Sequence, residues 1–180
     1  MKNRLEPIAD QESTILILGT LPGDKTLKEN EVVNDKGKPQ YYRSSSNRFW
    51  KIIASLESDG VVLEDDVERI KCLERQHIAL WDVCKSANRE KSLDKNIKGC
   101  FFDYESMVCF LQQHPNIKTV VFNGKKASKI FSKRFQRKVK SLLAPRKIEF
   151  LPPLLSSSGA NRRPTDVVVR VWKEALARLL

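Results

Sequence analysis

The 180-residue chain predicts an α/β fold: a three-layer α/β/α sandwich around a short central parallel β-sheet. Two patterns predict it. Short, near-continuous apolar runs with β-branched residues alternate with longer stretches of helical period, and strands separated by helices need crossover connections. The runs also lack the every-second-residue polarity of a half-exposed strand, so both faces of their sheet should be covered.

In chain order, strands are expected at Thr14–Leu18, His77–Val83, Thr119–Phe122 and Lys147–Leu151, each closing near Gly, Asp, Asn or Pro. Helical patterns lie between and around them at Ser46–Leu56, Leu63–Gln76, Tyr104–His114 and Lys125–Phe135. The clearest helix is Pro164–Leu180. Pro164 and Thr165 suit its first turn, and Val168, Trp172, Ala175, Leu176 and Leu179 fall on one buried stripe. The polar stretch Lys28–Gln40, with Gly37 and Pro39, reads as an exposed loop. A chain of this length buries one continuous core, so a single domain spanning residues 1–180 is expected.

Hydrophobic residues make up 41% of the chain, and no apolar run nears the ~20 residues that cross a bilayer. Met1-Lys2-Asn3-Arg4-Leu5-Glu6 has no apolar signal core. The expectation is a soluble, cytoplasmic monomer with no membrane partner. Net charge is +11, which attracts phosphate-rich partners before any specific contact forms. The charge is uneven: Lys125 to Lys147 includes Lys126, Lys129, Lys133, Arg134, Arg137, Lys138, Lys140 and Arg146 and no acidic residue, whereas Leu63 to Glu74 is acid-rich. Such a run is either a solvated helix face or a footprint for nucleic acid. The four cysteines, at 72, 84, 100 and 109, form no C-x-x-C pair and no metal-ligand spacing with a histidine. They read as reduced, mostly buried thiols, with no metal and no cofactor implied.

Ligands of parallel sheets bind beyond the carboxyl ends of the strands, which places Gly19-Thr20-Leu21-Pro22-Gly23 where chemistry is expected. A phosphate loop is excluded there because Asp24 separates Gly23 from Lys25 and sets a carboxylate where phosphate should sit. Asp24 itself is either a turn residue or a carboxylate base. Tyr41-Tyr42-Arg43-Ser44-Ser45-Ser46-Asn47-Arg48-Phe49-Trp50 forms a second segment, in which Asn47 suits a helix N-cap. Asn123, at the end of its strand, either reads a hydrogen-bonding edge or tolerates a left-handed turn beside Gly124. A third turn, Leu155-Ser156-Ser157-Ser158-Gly159-Ala160-Asn161, precedes the last helix.

These segments, in this order, resemble the uracil-DNA glycosylase superfamily, closest to its hypoxanthine (deoxyinosine) and mismatch-specific branches. The resemblance spans nearly the whole chain. It implies a monofunctional DNA glycosylase that flips a deaminated base, hypoxanthine or uracil, out of DNA and hydrolyses its N-glycosidic bond. The first turn, with Thr20, Leu21, Pro22 and Gly23, is similar to a first motif in which some members place an Asn before the Pro; here that position is Leu21. The hypoxanthine branch likewise lacks that Asn, and by this resemblance the catalytic role passes to Asn47. Tyr42 takes the place of an aromatic that stacks on the extruded base; read from the residues alone, either Tyr41 or Tyr42 is equally a half-buried core aromatic. Asn123 and the Trp81-Asp82-Val83 strand end also resemble the hypoxanthine branch.

The serine turn is similar to the DNA-entering loop Leu-Pro-Ser-Thr-Ser-Pro-Ala, with Leu155 and Gly159 in place of the two prolines. By this resemblance Ser156, Ser157, Ser158, Gly159, Ala160, Asn161 and Arg162, with Lys125, contact DNA. Ser44-Ser45 stands where relatives often have His-Pro. His77 and His114 lie outside every motif, so the resemblance implies no histidine acid, and it places no lysine for a Schiff base. The alternative reading is a DNA-binding or damage-sensing protein on the same fold that has lost turnover.

Overall fold

The computed structural model of the chain describes residues 2–3, 5–23, 26, 41–57, 63, 65–89 and 97–180. Asp24, Lys25 and the loop expected at Lys28–Gln40 lie outside them. Four parallel strands, β2 (Ile15–Gly19), β3 (Ile78–Asp82), β6 (Thr119–Phe122) and β7 (Glu149–Phe150), form the central sheet in the order β3-β2-β6-β7. Its register pairs Ile15 with both Ile78 and Thr119, so β2 and β3 end level at Gly19 and Asp82, and β6 ends one residue earlier at Phe122, opposite Leu18.

Helices cover both faces. α1 (Phe49–Ala54), α2 (Asp66–Arg75) and α6 (Thr165–Leu176) lie on one, and α3 (Tyr104–Gln113), α4 (Lys125–Ile130) and α5 (Lys133–Leu142) on the other. The alternation of side chains along β2 shows how the layers are held. Ile15 and Ile17 join a cluster with Phe49, Ile53, Leu73 and Trp172, while Leu16 and Leu18 join Met107, Leu111, Phe131 and Val139. All four β2 side chains are at most 1% exposed. Each such burial contributes about 1.5–3 kcal/mol, so substitution by a polar residue anywhere in β2 would break a layer.

The helix expected over Lys125–Phe135 is two helices. The chain breaks at Phe131 and Ser132, and Phe131, fully buried among aromatics of the sheet and of α3's approach, holds the corner. The sequence reading also omitted a second sheet. β1 (Lys2–Asn3), β4 (Ser86–Arg89) and β5 (Ile97–Phe101) pair antiparallel in the order β1-β4-β5 beyond the end of β3.

The thiol reading needs correction as well. Cys84 and Cys100 form a disulfide, with Cα atoms 5.7 Å apart, that staples the end of β3 to β5. Cys109 is exposed, and only Cys72 is the buried thiol expected, its pKa pushed up to about 12 first by burial and then by Glu57. Among the described residues no helix is long and apolar enough to cross a membrane, and no group of His, Cys, Asp and Glu could hold a metal ion.

Candidate active site

From β2 the chain crosses to β3 over one face, and the later crossovers to β6 and β7 use the other face. That reversal opens a crevice beyond the carboxyl ends of β2 and β6, the place where open α/β sheets bind ligands. Gly19 ends β2 there. A Cβ on it would lie 2.3 Å from Asp82 Oδ1 and 2.6 Å from the Tyr42 hydroxyl oxygen, so the close approach of those two groups requires glycine. Past the strand end, Val83 N–H donates to Gly19 O at 2.9 Å and Cys84 N–H to Thr20 O at 3.0 Å. Leu21 is 6% exposed and packs with Cys84, Ala87 and Ile97. This turn is therefore a rigid wall, seated on the disulfide-linked sheet.

The second wall is built on α1. Tyr42 takes φ 55°, a left-handed conformation that non-glycine residues adopt at a cost. Its ring lies 4.3 Å from that of Phe49 at a 32° tilt, and its hydroxyl accepts from Asn123 Nδ2 at 3.1 Å; both contacts help to hold it. Tyr41 is the packing residue of the pair, 2% exposed with its hydroxyl donating to Glu6 O at 2.9 Å. Asn47 begins the turn into α1, and its Oδ1 accepts from Phe49 N–H at 2.9 Å. A backbone N–H only donates, so this bond fixes which amide atom of Asn47 is oxygen, and it leaves the second lone pair of Oδ1 to another donor.

The serine turn forms the third wall. Asn123, 7% exposed, reaches it with both ends of its amide: Oδ1 accepts from Ser157 N–H at 2.9 Å, and Nδ2 donates to Ser157 Oγ at 2.8 Å. The left-handed position beside it belongs to Gly124, φ 94°, and not to Asn123. Trp172 of α6 supports the turn from behind by donating Nε1–H to Leu155 O at 2.7 Å. From below comes Arg48, a residue given no role from sequence. It is 7% exposed and its guanidinium donates to the carbonyls of Ser157, Ser158, Asn161 and Arg163. A signal for it was present: a cation at the start of a helix faces the positive end of the dipole, so its partners must lie elsewhere.

The three walls enclose a cavity of about 250 Å³. Asn47, Tyr42, Asn123, Thr20, Leu21, Pro22 and Gly23 line it, as do Ser156, Ser157, Ser158, Gly159 and Ala160. Asn161, Arg162 and Lys125 are not in its lining. Asn161 instead braces the turn, its Nδ2 donating to Ser156 O at 2.8 Å, while Arg162 and Lys125 are exposed at its flank. Asp82, 2% exposed, supplies a carboxylate to the lining. The cavity thus offers an aromatic wall, two oriented amides, several hydroxyls and a carboxylate. Among its described lining residues there is no histidine, lysine or cysteine. Such a set suits a flat, polar, uncharged heterocycle.

The model of the uracil DNA glycosylase superfamily matches residues 7–179. The hypoxanthine DNA glycosylase of Methanosarcina barkeri is 34% identical over 177 residues, covering 98% of this chain and 99% of the relative. That of Methanosarcina acetivorans is 29% identical, covering 91% and 90%. A solution NMR structure of a candidate uracil DNA glycosylase from Methanosarcina acetivorans superposes with a TM-score of 0.73 at 26% identity, covering 99% of this chain and 98% of that one. The chain belongs to the uracil DNA glycosylase superfamily, and so to the DNA glycosylases, which hydrolyse N-glycosyl bonds.

Proposed function

We propose that this chain is a monofunctional DNA glycosylase that excises hypoxanthine, or uracil, from DNA, with the 250 Å³ cavity as its base pocket. The observation that carries this reading is the meeting of Asn47, Tyr42 and Asn123 in one cavity although they come from three separate segments. Neither residue composition nor net charge requires that meeting; a base pocket does.

DNA is drawn to the basic surface and the target nucleotide leaves the stack. The extruded base lies on Tyr42, recovering roughly 1–3 kcal/mol of the stacking it has lost. Phe49 and Asn123 fix that ring from the other side and at its hydroxyl, so little ordering remains for binding. The Ser156–Ala160 turn takes the phosphodiester beside the flipped nucleotide.

Asn47 Oδ1, held by Phe49 N–H, accepts a hydrogen bond from a water molecule beneath the sugar and so orients it. The bond from C1′ to the base nitrogen breaks with its electron pair moving to the base, and the sugar becomes oxocarbenium-like. Water oxygen then bonds to C1′. Its released proton balances the charge of the departing base, leaving free base and an abasic site. An amide is a weak base, and it suffices because the bond is largely broken before water attacks. The enzyme acts as a monomer of one domain inside the cell, where its DNA substrate lies.

The test uses excess protein with duplex and single-stranded oligonucleotides containing hypoxanthine, uracil or xanthine, followed by alkali to cut at abasic sites. Scission at hypoxanthine or uracil, absent without alkali, is the expected result. Salt-sensitive binding with no scission on any base would instead identify a damage-binding protein.

A further inference from the structure

The partners of the buried Arg48 guanidinium are carbonyl oxygens. Nη1 donates to Arg163 O at 2.7 Å, Nη2 to Ser158 O at 2.7 Å and Asn161 O at 3.0 Å, and Nε to Ser157 O at 3.4 Å. The Arg48 backbone N–H donates to Ser157 O as well, at 2.9 Å. Among the described residues no carboxylate pairs with it. A buried charge is ordinarily matched by an opposite charge, and this one is matched only by the backbone of a loop.

We propose that Arg48 is a positioning residue that shapes the loop 156–163 for a DNA phosphate; the proposal takes its ligand from the glycosylase reading above. A trans peptide unit points its N–H away from its C=O. By drawing the carbonyls of Ser158 and Asn161 inward, Arg48 turns the N–H groups of Gly159 and Arg162 the other way, and both of those residues are exposed. Carbonyl oxygens that would repel a phosphodiester are thereby hidden, and donors face it. The loop is also held against the Asn47 turn, since a Cβ on Gly159 would lie 2.8 Å from the carbonyl oxygen and the Cβ of Ser46. The unbalanced guanidinium adds attraction from directly beneath. Lysine cannot replace it, because one ammonium lacks the planar fork that reaches carbonyls on both sides.

The experiment compares wild type, Arg48→Met and Arg48→Lys on a duplex carrying one hypoxanthine, with KM, single-turnover kcat and thermal midpoint measured for each. KM should rise about ten- to a hundredfold in Arg48→Met while kcat changes by less than about threefold, and Arg48→Lys should recover only part of KM. A residue that merely stabilised the fold would lower the midpoint and the active fraction and leave KM in place. Independently of any variant, the backbone amide signals of Gly159 and Arg162 in the wild-type NMR spectrum should shift when an abasic-site duplex is added. Unchanged KM in a folded Arg48→Met, or unmoved amides at saturation, overturns the proposal. Should Arg48→Met fail to fold, the amide titration decides alone. If wild type binds duplex but excises nothing, the glycosylase reading fails, and the Kd of the same variants still decides the role of Arg48.

Discussion

Asn123 grips Ser157 with both ends of its side-chain amide, accepting from the backbone N–H at 2.9 Å and donating to the hydroxyl at 2.8 Å. The end of β6 is thereby tied to the last loop, across 34 residues of sequence. Because the other Nδ2 hydrogen goes to the Tyr42 hydroxyl, one side chain fixes two walls of the cavity. Asn123→Ala leaves a buried N–H and a hydroxyl without partners, and should destabilise the protein by about 1–3 kcal/mol in urea unfolding. Asn123→Asp restores the acceptor for Ser157 N–H but not the donors, so its excision rate should stay low while stability recovers in part.

Gly19→Ala inserts a methyl into the space shared by Asp82 and Tyr42. Overpacking of this kind costs about 1–3 kcal/mol, but here the strain falls on the ring proposed to stack on the base. The expected outcome is a larger fall in kcat/KM than the shift in thermal midpoint alone explains, measured on a hypoxanthine duplex. Equal activity with a lowered midpoint would separate Gly19 from the pocket.

Asp103 caps α3, accepting from Ser106 N–H at 3.1 Å and from Ser106 Oγ at 2.6 Å, and it pairs with Lys85 at 2.8 Å. Lys85 first and Ser106 second hold its carboxyl well below the usual carboxylate range. A folded-state pKa below the unfolded value near 3.9 contributes stability above that value and loses it as pH falls through the folded one. Asp103→Asn should therefore be less stable than wild type at pH 7, with the gap closing below about pH 4. Urea midpoints across pH 2–7 check both the sign and the window.

The disulfide and the burial of Cys72 set the thiol count. In the unreduced native protein, a thiol reagent should label Cys109 quickly and Cys72 hardly at all, since burial holds the latter's pKa at about 12. Denaturation should expose both thiols, and prior reduction all four of the chain's cysteines. Four fast thiols in the native protein would contradict the Cys84–Cys100 bond.

The central strands were legible because burial on both faces leaves a plain mark: β2, β3 and β6 are apolar runs that stop at Gly19, Asp82 and Phe122. Trp172 and Val168 were legible as core from helical spacing alone, and both are fully buried. The antiparallel sheet left no such mark. β5 buries Ile97, half-buries Cys100 and exposes Lys98, Gly99 and Phe101, so neither periodicity nor apolarity flags it. The break between α4 and α5 was hidden because Phe131 keeps the apolar stripe going while the backbone turns. A pairing of Cys84 with Cys100 across 16 residues is set by the β3–β4–β5 path, which no local pattern encodes. The ordering of the site segments could be read, and so could the mismatch of Arg48 with its helix dipole, whereas the partners of Arg48 could not, because they are carbonyls of residues more than a hundred positions away.

The central claim is that an amide at position 47 orients the hydrolytic water, and single-turnover excision of hypoxanthine by Asn47→Ala against wild type tests it most directly. Loss of one preorganised polar group at the transition state predicts a fall of about 10²–10³-fold in rate, with duplex affinity little changed and only the modest drop in thermal midpoint that loss of the Phe49 N–H bond brings. An Asn47→Ala protein that excises at the wild-type rate would contradict the account.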